Sequence, residues 1–197
     1  MLRMTTEGIL RLTVPRRASV GGGVRFAEGQ GEWIGREWNR VKSRATAWDE
    51  GTAIWFRGER IELRRNEGAL YLGPWIVPER QGQDTRLAVE GWMRRLGEGE
   101  LPERVSVLAA ECGVRPAKVT VRNQRSRWGA CSGRGAITLN WRLVQMPPSV
   151  ADYVIFHEIA HLTHPNHSRR FWREVGSICP SWQEAERWLR QHGREVL

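Results

Sequence analysis

The chain has 197 residues, 31 Lys and Arg against 22 Asp and Glu, and a formal net charge of +9 at pH 7. Its 40% hydrophobic and 27% charged residues are typical of a globular protein with a sizeable core, and no apolar stretch is long enough to span a bilayer. The N-terminus has no apolar run of secretory type, and the three cysteines, Cys112, Cys131 and Cys179, are far apart. We therefore expect a reduced, cytoplasmic protein without a disulfide framework.

The first 83 residues predict a small antiparallel lobe crossed by one helix. Apolar and polar residues alternate over 9–14, which is typical of a strand, and Gly21, Gly22 and Gly23 indicate a loop. Helical spacing of apolar residues follows over 24–44. Residues 53–56 and 61–63 predict a hairpin with Gly58 at its turn, and 71–77 predict one more strand.

Residues 84–197 predict a second, mainly helical domain. Asp84 or Thr85 can cap a helix that runs to Leu96, after which Gly97 and Gly99 should break it before a second helix over 101–112. Strand patterning then returns over 118–124 and 136–141, which we interpret as the two arms of a hairpin with an elaborate tip. Further helices are expected over 150–163, from Asn166 or Ser168 to Pro180, and over 181–191.

The helix over 150–163 carries the pattern HExxH as His157, Glu158 and His161. Residues four apart lie on one helical face, so the two imidazoles can converge on one zinc ion. Glu158 then lies beside the metal, where a carboxylate can act as general base on an activated water. Ser149 is the expected cap of this helix, and Pro165 ends it.

Catalytic zinc normally takes three protein ligands, so a third must come from downstream. His167 is the favoured candidate, in the first turn of the next helix. His164 is the rival, although it would rotate away from the ion on a continuing helix. Glu174 could also serve, because a carboxylate is the third ligand in some zinc peptidases.

A basic segment precedes this helix: no acidic residue lies between Glu111 and Asp152. It predicts a positive wall beside the metal that attracts an anionic partner, a nucleic acid or a nucleotide, or merely a solvated basic face. The candidate contacts are Arg122, Arg125, Arg127, Arg134 and Arg142. The strand over 136–141 is either an edge on which an extended peptide pairs or an ordinary core strand.

The residues RWGACS and ITLNWRLVQMPPSVADYVIFHEIAHLTHPNHSRRFW resemble the YgjP-like metallopeptidase family, relatives of the SprT-like zinc proteases. The strong part of the match runs over about 121–193. The resemblance implies an α+β, zincin-like metallopeptidase domain over 84–197, preceded by a small lobe over 1–83. It also implies zinc ligands at His157, His161 and His167, with Glu158 as catalytic base.

These observations favour a zinc-dependent peptidase that hydrolyses peptide bonds with an activated water. Two alternatives stay open: a metal-dependent hydrolase of nucleotides or phosphoesters, and a SprT-like protease that acts on DNA-bound proteins. The oxyanion of the reaction needs a stabilising group besides the metal, for which the candidates are Tyr153, Arg127 and His164.

Overall fold

The structure is a computed structural model that describes residues 2–4, 10–15, 19–44 and 48–196, and of 39–44 the backbone alone. The chain divides into two compact units, Met1–Ala47 and Trp48–Leu197. Within the described residues, no helix combines the length and the apolar character needed to cross a membrane.

The first unit contains two short strands and two helices. β1 (Leu2–Met4) pairs antiparallel with β2 (Leu10–Leu12), so the strand predicted over 9–14 is confirmed in a shorter form. The loop predicted at Gly21 to Gly23 is wrong, because these glycines lie in α1 (Val20–Glu28), where the Ser19 hydroxyl accepts a hydrogen bond from the amide of Gly22. The helix predicted over 24–44 is in fact two, since α2 (Gly31–Arg44) follows as a separate element.

The second unit opens with a four-stranded antiparallel sheet in sequential order. Its strands are β3 (Ala53–Phe56), β4 (Glu59–Asn66), β5 (Ala69–Leu72) and β6 (Trp75–Val77). The β3–β4 hairpin is confirmed, with Gly58 at its turn at φ 86°. The single strand predicted over 71–77 is wrong: the chain reverses at Gly73, so β5 and β6 pair with each other.

The turn of the first hairpin docks on the segment that leads into the HExxH helix. The amides of Arg57 and Gly58 donate to the carbonyls of Val144 and Gln145, both at 3.0 Å. A Cβ on Gly58 would lie 2.6 Å from Cγ of Pro147 and 2.8 Å from its Cα. Only glycine fits between this turn and Pro147, and the positive φ favours glycine as well.

One continuous helix, α3 (Thr85–Glu111), follows, with the Asp84 carboxylate capping it as predicted. The break predicted at Gly97 and Gly99 is wrong. Gly97 packs against the backbone of Trp141, since a Cβ there would lie 3.1 Å from the Trp141 carbonyl oxygen. Tertiary packing along the whole helix therefore outweighs the low helix propensity of the glycines and of Pro102.

A three-stranded sheet supports the HExxH helix. It contains β7 (Lys118–Arg122), β8 (Gly129–Cys131) and β9 (Ala136–Asn140) in the order β7-β9-β8. The predicted hairpin of β7 and β9 is wrong, because the two strands are parallel and β8 pairs antiparallel with the other side of β9. β9 is therefore central, and β7 and β8 are the two edge strands among the described residues. A 3₁₀ helix, Trp141–Gln145, follows β9.

Three helices complete the chain: α4 (Pro148–Ala160), α5 (Arg169–Ile178) and α6 (Trp182–Val196). Ser149 is not the cap predicted for α4, since the helix begins with Pro148 after Pro147 and has no side-chain cap. α4 also ends earlier than predicted, at Ala160. The next helix is capped by Ser168, so His167 precedes it instead of lying in its first turn.

The compact units divide at a different place from the predicted domains, which meet at 83/84. Two hydrophobic clusters fill the second unit, and α3 contributes to both. The four-stranded sheet packs on α3 through Phe56, Leu63 and Leu72, and the same cluster includes Trp141 and Val144 next to α4. Residues 48–83 thus share their core with the helix-rich part of the chain. The fold class is α+β, as predicted.

Candidate active site

Three histidines converge at the end of α4. The Nε2 atoms of His157 and His167 lie 3.0 Å apart, and one ring nitrogen from each of His157, His161 and His167 lies within 4.8 Å of the others. Nitrogen ligands about 2.0–2.1 Å from zinc in a tetrahedron are about 3.3 Å from one another. The three imidazoles thus have a spacing that one metal ion can bridge.

The end of α4 and the start of α5 together bring His167 to the other two histidines. α4 stops at Ala160, with His161 at its C-cap, and the chain turns through 162–166 before Ser168 caps α5. Phe171, fully buried in the first turn of α5, packs against all three imidazoles with ring centroids 4.6 to 4.9 Å apart. Its ring therefore forms an apolar floor that fixes the orientation of the histidines.

The turn after α4 also fixes the tautomer of His161. A carbonyl can only accept, so the 3.0 Å contact between His161 Nδ1 and the backbone oxygen of His164 is donated by Nδ1–H. The Nε2 atom of His161 is left with its lone pair for a metal. His164 itself points elsewhere, with Nε2 2.7 Å from Oε2 of Glu174, which also accepts from Thr163. The structure thus brings His167 to the other two histidines and engages His164 and Glu174 with each other.

Burial keeps the rings of His157 and His161 in the protonation state that a metal requires. Burial, with smaller contributions from the charges of His161 and His167, lowers the pKa of His157 to about 4. Burial likewise lowers the pKa of His161. Both rings are neutral at pH 7, and neutral imidazole is the form that binds metal ions.

Glu158 lies against β8, an edge strand of the three-stranded sheet. It is 6% exposed, and its Oε2 has no hydrogen-bond partner among the described residues. A Cβ on Gly129 of β8 would lie 2.5 Å from Oε1 of Glu158, 2.6 Å from Cγ and 2.8 Å from Cδ. The carboxyl group therefore occupies the space that a side chain at residue 129 would fill.

Burial raises the pKa of Glu158 to about 7, although the charge of Arg127 acts in the opposite direction. A carboxyl group with a pKa near the working pH can both accept and release a proton. A buried acid that lines a cleft and has a strongly shifted pKa is also a physical indication of a functional site.

A cleft of about 400 Å³ opens over the histidines and Glu158. Pro165 forms part of its wall. The rest of the wall comes from β8 and the residues on either side of it, which are Arg127, Gly129, Ala130, Cys131, Ser132 and Gly133. Of the five arginines proposed to contact an anionic partner, Arg127 lines this cleft. Arg142 is instead largely covered: it stacks on Trp141, approaches Glu90 to 3.7 Å and bonds to Asn123.

Of the three candidates for oxyanion stabilisation, the structure places Arg127 alone at the cleft. Tyr153 is buried within α4, where burial raises the pKa of its hydroxyl to about 12, and His164 is held by Glu174. Sequence reasoning missed Gly129 and the part that Phe171 plays beneath the histidines. Gly129 lies within the predicted tip and Phe171 fits an ordinary apolar stripe, so neither gives a local signal.

A triad of histidines with a buried carboxyl group beside it is typical of a metal-dependent hydrolase. The family model described as YgjP-like, metallopeptidase domain matches residues 1–192, and the chain belongs to this YgjP-like family. Among solved structures, the chain is similar to the metallopeptidase zymogen of Pyrococcus abyssi abylysin. The two are 25% identical over 46% of this chain and 92% of that chain, with a TM-score of 0.41. The comparison with curated proteins gave no match.

Replacing His167 with alanine tests whether this residue is the third metal ligand. We expect the His167→Ala variant to lose zinc affinity by more than the 10- to 100-fold that is typical for loss of an outer-shell partner. Zinc content after dialysis and competition with a chromophoric chelator measure this. His164→Ala is the matched control, because it removes a nearby imidazole but leaves the backbone carbonyl that accepts from His161. Full zinc retention by His167→Ala would eliminate this residue as a ligand.

Proposed function

We propose that the protein is a zinc-dependent peptidase, with His157, His161 and His167 as metal ligands and Glu158 as general base. One observation carries the proposal: the three imidazoles converge in the same cleft into which a buried glutamate opens. Structural zinc sites are closed by four protein ligands, whereas catalytic sites have three and keep a position open. Three histidines facing a cleft are typical of the catalytic kind.

The donor set fits zinc. All three candidate ligands are imidazoles, which suit Zn²⁺ better than Mg²⁺ or Ca²⁺, and burial keeps the rings of His157 and His161 neutral. The orphaned Oε2 of Glu158 supplies an acceptor beside them. When bound, the metal supplies Lewis-acid activation of a water molecule and of the scissile carbonyl.

Glu158 moves the protons of the reaction. Its carboxylate removes a proton from the attacking water and then gives it to the nitrogen of the leaving amine. The contact with Gly129 holds the carboxyl group in place, and Phe171 fixes the three rings from below.

The position of β8 at one edge of its sheet favours a peptide as the substrate. Among the described residues β8 pairs with a strand on one side only, and it lines the cleft beside Glu158. An extended chain can add to such an edge through main-chain hydrogen bonds, which is a common mode of peptide recognition. Of the two interpretations of the strand over 136–141, the pairing of β9 on both sides favours an ordinary core strand, so we assign the peptide-pairing edge to β8.

A substrate screen with the zinc-loaded protein tests the function. We expect cleavage of peptides from a mixed-sequence, internally quenched library, loss of activity with a chelator, and recovery when zinc is restored. Nucleotides and single- and double-stranded DNA are assayed in parallel under the same metal loading. Release of phosphate or pyrophosphate without peptide cleavage would favour the phosphoester alternative. Cleavage that requires added DNA would favour a protease of DNA-bound proteins.

A cytoplasmic setting remains part of the proposal, and the three cysteines are present as free thiols.

A further inference from the structure

We propose that Arg127 forms a carboxylate-binding subsite in the cleft, so that the enzyme prefers peptides that present a carboxylate close to the scissile bond. The carboxylate can belong to an acidic side chain or to the C-terminus of the peptide. This inference rests on the proposed peptidase function and specifies its substrate class.

The charges that line the cleft favour an anionic ligand. Among the residues that line the cleft, Arg127 has a formal positive charge and Glu158 carries the carboxyl group. A divalent metal ion on the histidines leaves the cleft net positive. The chain from Cys112 to Ala151, which supplies the wall, contains no Asp or Glu that could neutralise it.

The guanidinium of Arg127 is available to a ligand. Other arginines of this protein are held by carboxylates: Arg104 binds Asp152 through two hydrogen bonds of 2.8 and 2.7 Å, and Arg65 binds Glu79 in the same way. Arg127 is exposed at the cleft, and its side chain makes no ion pair within the described part of the chain. Its planar fork of donors matches a carboxylate in geometry and charge.

The backbone that carries Arg127 is held by a buried amide. Asn140, which is fully buried, donates through Nδ2 to the carbonyls of Gln124 at 2.8 Å and of Arg127 at 3.2 Å. The backbone N–H of Asn140 donates to the carbonyl of Trp128 at 2.8 Å. These bonds fix the segment 124–128 on the end of β9. Arg127 therefore projects from a preorganised wall, which lowers the entropic cost of binding.

The space beside Arg127 suits a side chain of the substrate. The wall continues with Ala130 and Gly133, and a Cβ at Gly133 would meet nothing within 4 Å. Such small residues leave the cleft open around the guanidinium. A bound peptide that pairs with β8 would thus place a side chain or its terminus next to Arg127.

Paired peptides and Arg127 variants test the inference. The substrates are quenched peptides that differ only in Glu against Gln at each position around the scissile bond, each made with a free or an amidated C-terminus. We expect the zinc-loaded protein to prefer one carboxylate-bearing member by roughly tenfold in kcat/KM, the scale of one charge-assisted hydrogen bond. The position of the preferred Glu, or the preference for a free C-terminus, identifies the source of the carboxylate.

The variants separate recognition from oxyanion stabilisation. Arg127→Ala should remove the preference chiefly through KM, Arg127→Lys should restore part of it, and Arg127→Glu should reverse it toward Lys-bearing peptides. Arg187→Ala, an exposed arginine on α6 outside the cleft, is the matched control. An equal fall in kcat for every peptide would overturn the proposal, as would a wild-type protein with no preference.

A binding measurement keeps this test independent of hydrolysis. Fluorescence anisotropy of the same peptides on zinc-loaded Glu158→Gln, with and without Arg127→Ala, reports the subsite even if no peptide is cleaved. Tighter binding of carboxylate-bearing peptides that vanishes with Arg127→Ala supports the subsite. Equal binding of acid and amide forms contradicts it. If the wild-type protein cleaves no peptide but the binding measurement still separates acid from amide peptides, the result would count against the peptidase function alone.

Discussion

Glu158→Gln is expected to abolish hydrolysis while the protein still binds zinc. Glutamine fills the same space next to Gly129 but cannot accept a proton, and removal of a general base typically costs 10²- to 10⁴-fold in rate. Zinc affinity should be unchanged, because the carboxyl group is not one of the three clustered ligands. The measurements are kcat on a cleaved peptide and zinc content of the same sample.

The stability of the metal-free variant gives a second readout. Burial raises the pKa of Glu158 to about 7, so the folded state favours the protonated form. The resulting stabilisation is complete below the ordinary carboxyl pKa and is lost as the pH rises toward 7. Glutamine has no charge to bury, so metal-free Glu158→Gln should unfold at pH 8 at a temperature no lower than the unsubstituted protein. Glu184→Gln, exposed on α6, is the control and should change neither property. Normal turnover by Glu158→Gln would exclude the proposed role as base.

Gly129→Ala is expected to lower kcat by about 100-fold, since a misplacement of a catalytic group by about 1 Å can have that effect. The added methyl would lie 2.5 Å from Oε1 of Glu158, which is closer than real contacts allow, so the carboxyl group must move. The histidines are not touched by this change, and zinc affinity should be retained. Steady-state kinetics and a chelator competition on the same preparations measure the two effects.

Gly133→Ala is the matched control, because it adds the same methyl to the same cleft where nothing lies within 4 Å. The double variant Gly129→Ala/Glu158→Asp adds a test of mechanism. If the methyl acts through Glu158, shortening that side chain should cost less in the Gly129→Ala background than alone, as contacting residues are not additive. Equal kinetics for Gly129→Ala and Gly133→Ala would rule out the positioning role of Gly129.

The features that sequence reasoning found are those with a local signal. The spacing of His157 and His161 predicts a shared helical face, and the alternation over 53–63 predicts a hairpin; both features are present. The sequence favours His167 as the third ligand, in the first turn of the helix that follows Pro165. The structure brings it to the cluster, although from a loop before α5 instead of from a helical turn.

The features that it missed depend on contacts between distant segments. Gly97 was expected to break a helix, and only its packing on Trp141 explains why α3 continues. Alternation predicts strands at 118–122 and 136–140 but carries no information on their direction, so the parallel pairing was lost. The contact of Gly129 with Glu158 joins residues 29 positions apart, and neither residue marks it in the sequence.

The docking of the β3–β4 turn on Pro147 makes the proposed metal ligands dependent on a sheet that lies outside the cleft. Gly58 seats this turn at the start of the helix that carries His157 and His161, and the two backbone hydrogen bonds from Arg57 and Gly58 hold it there. The four-stranded sheet and the HExxH helix therefore belong to one cooperative unfolding unit. A destabilising substitution in the core of that sheet would reduce metal binding through partial unfolding, with every ligand still chemically intact.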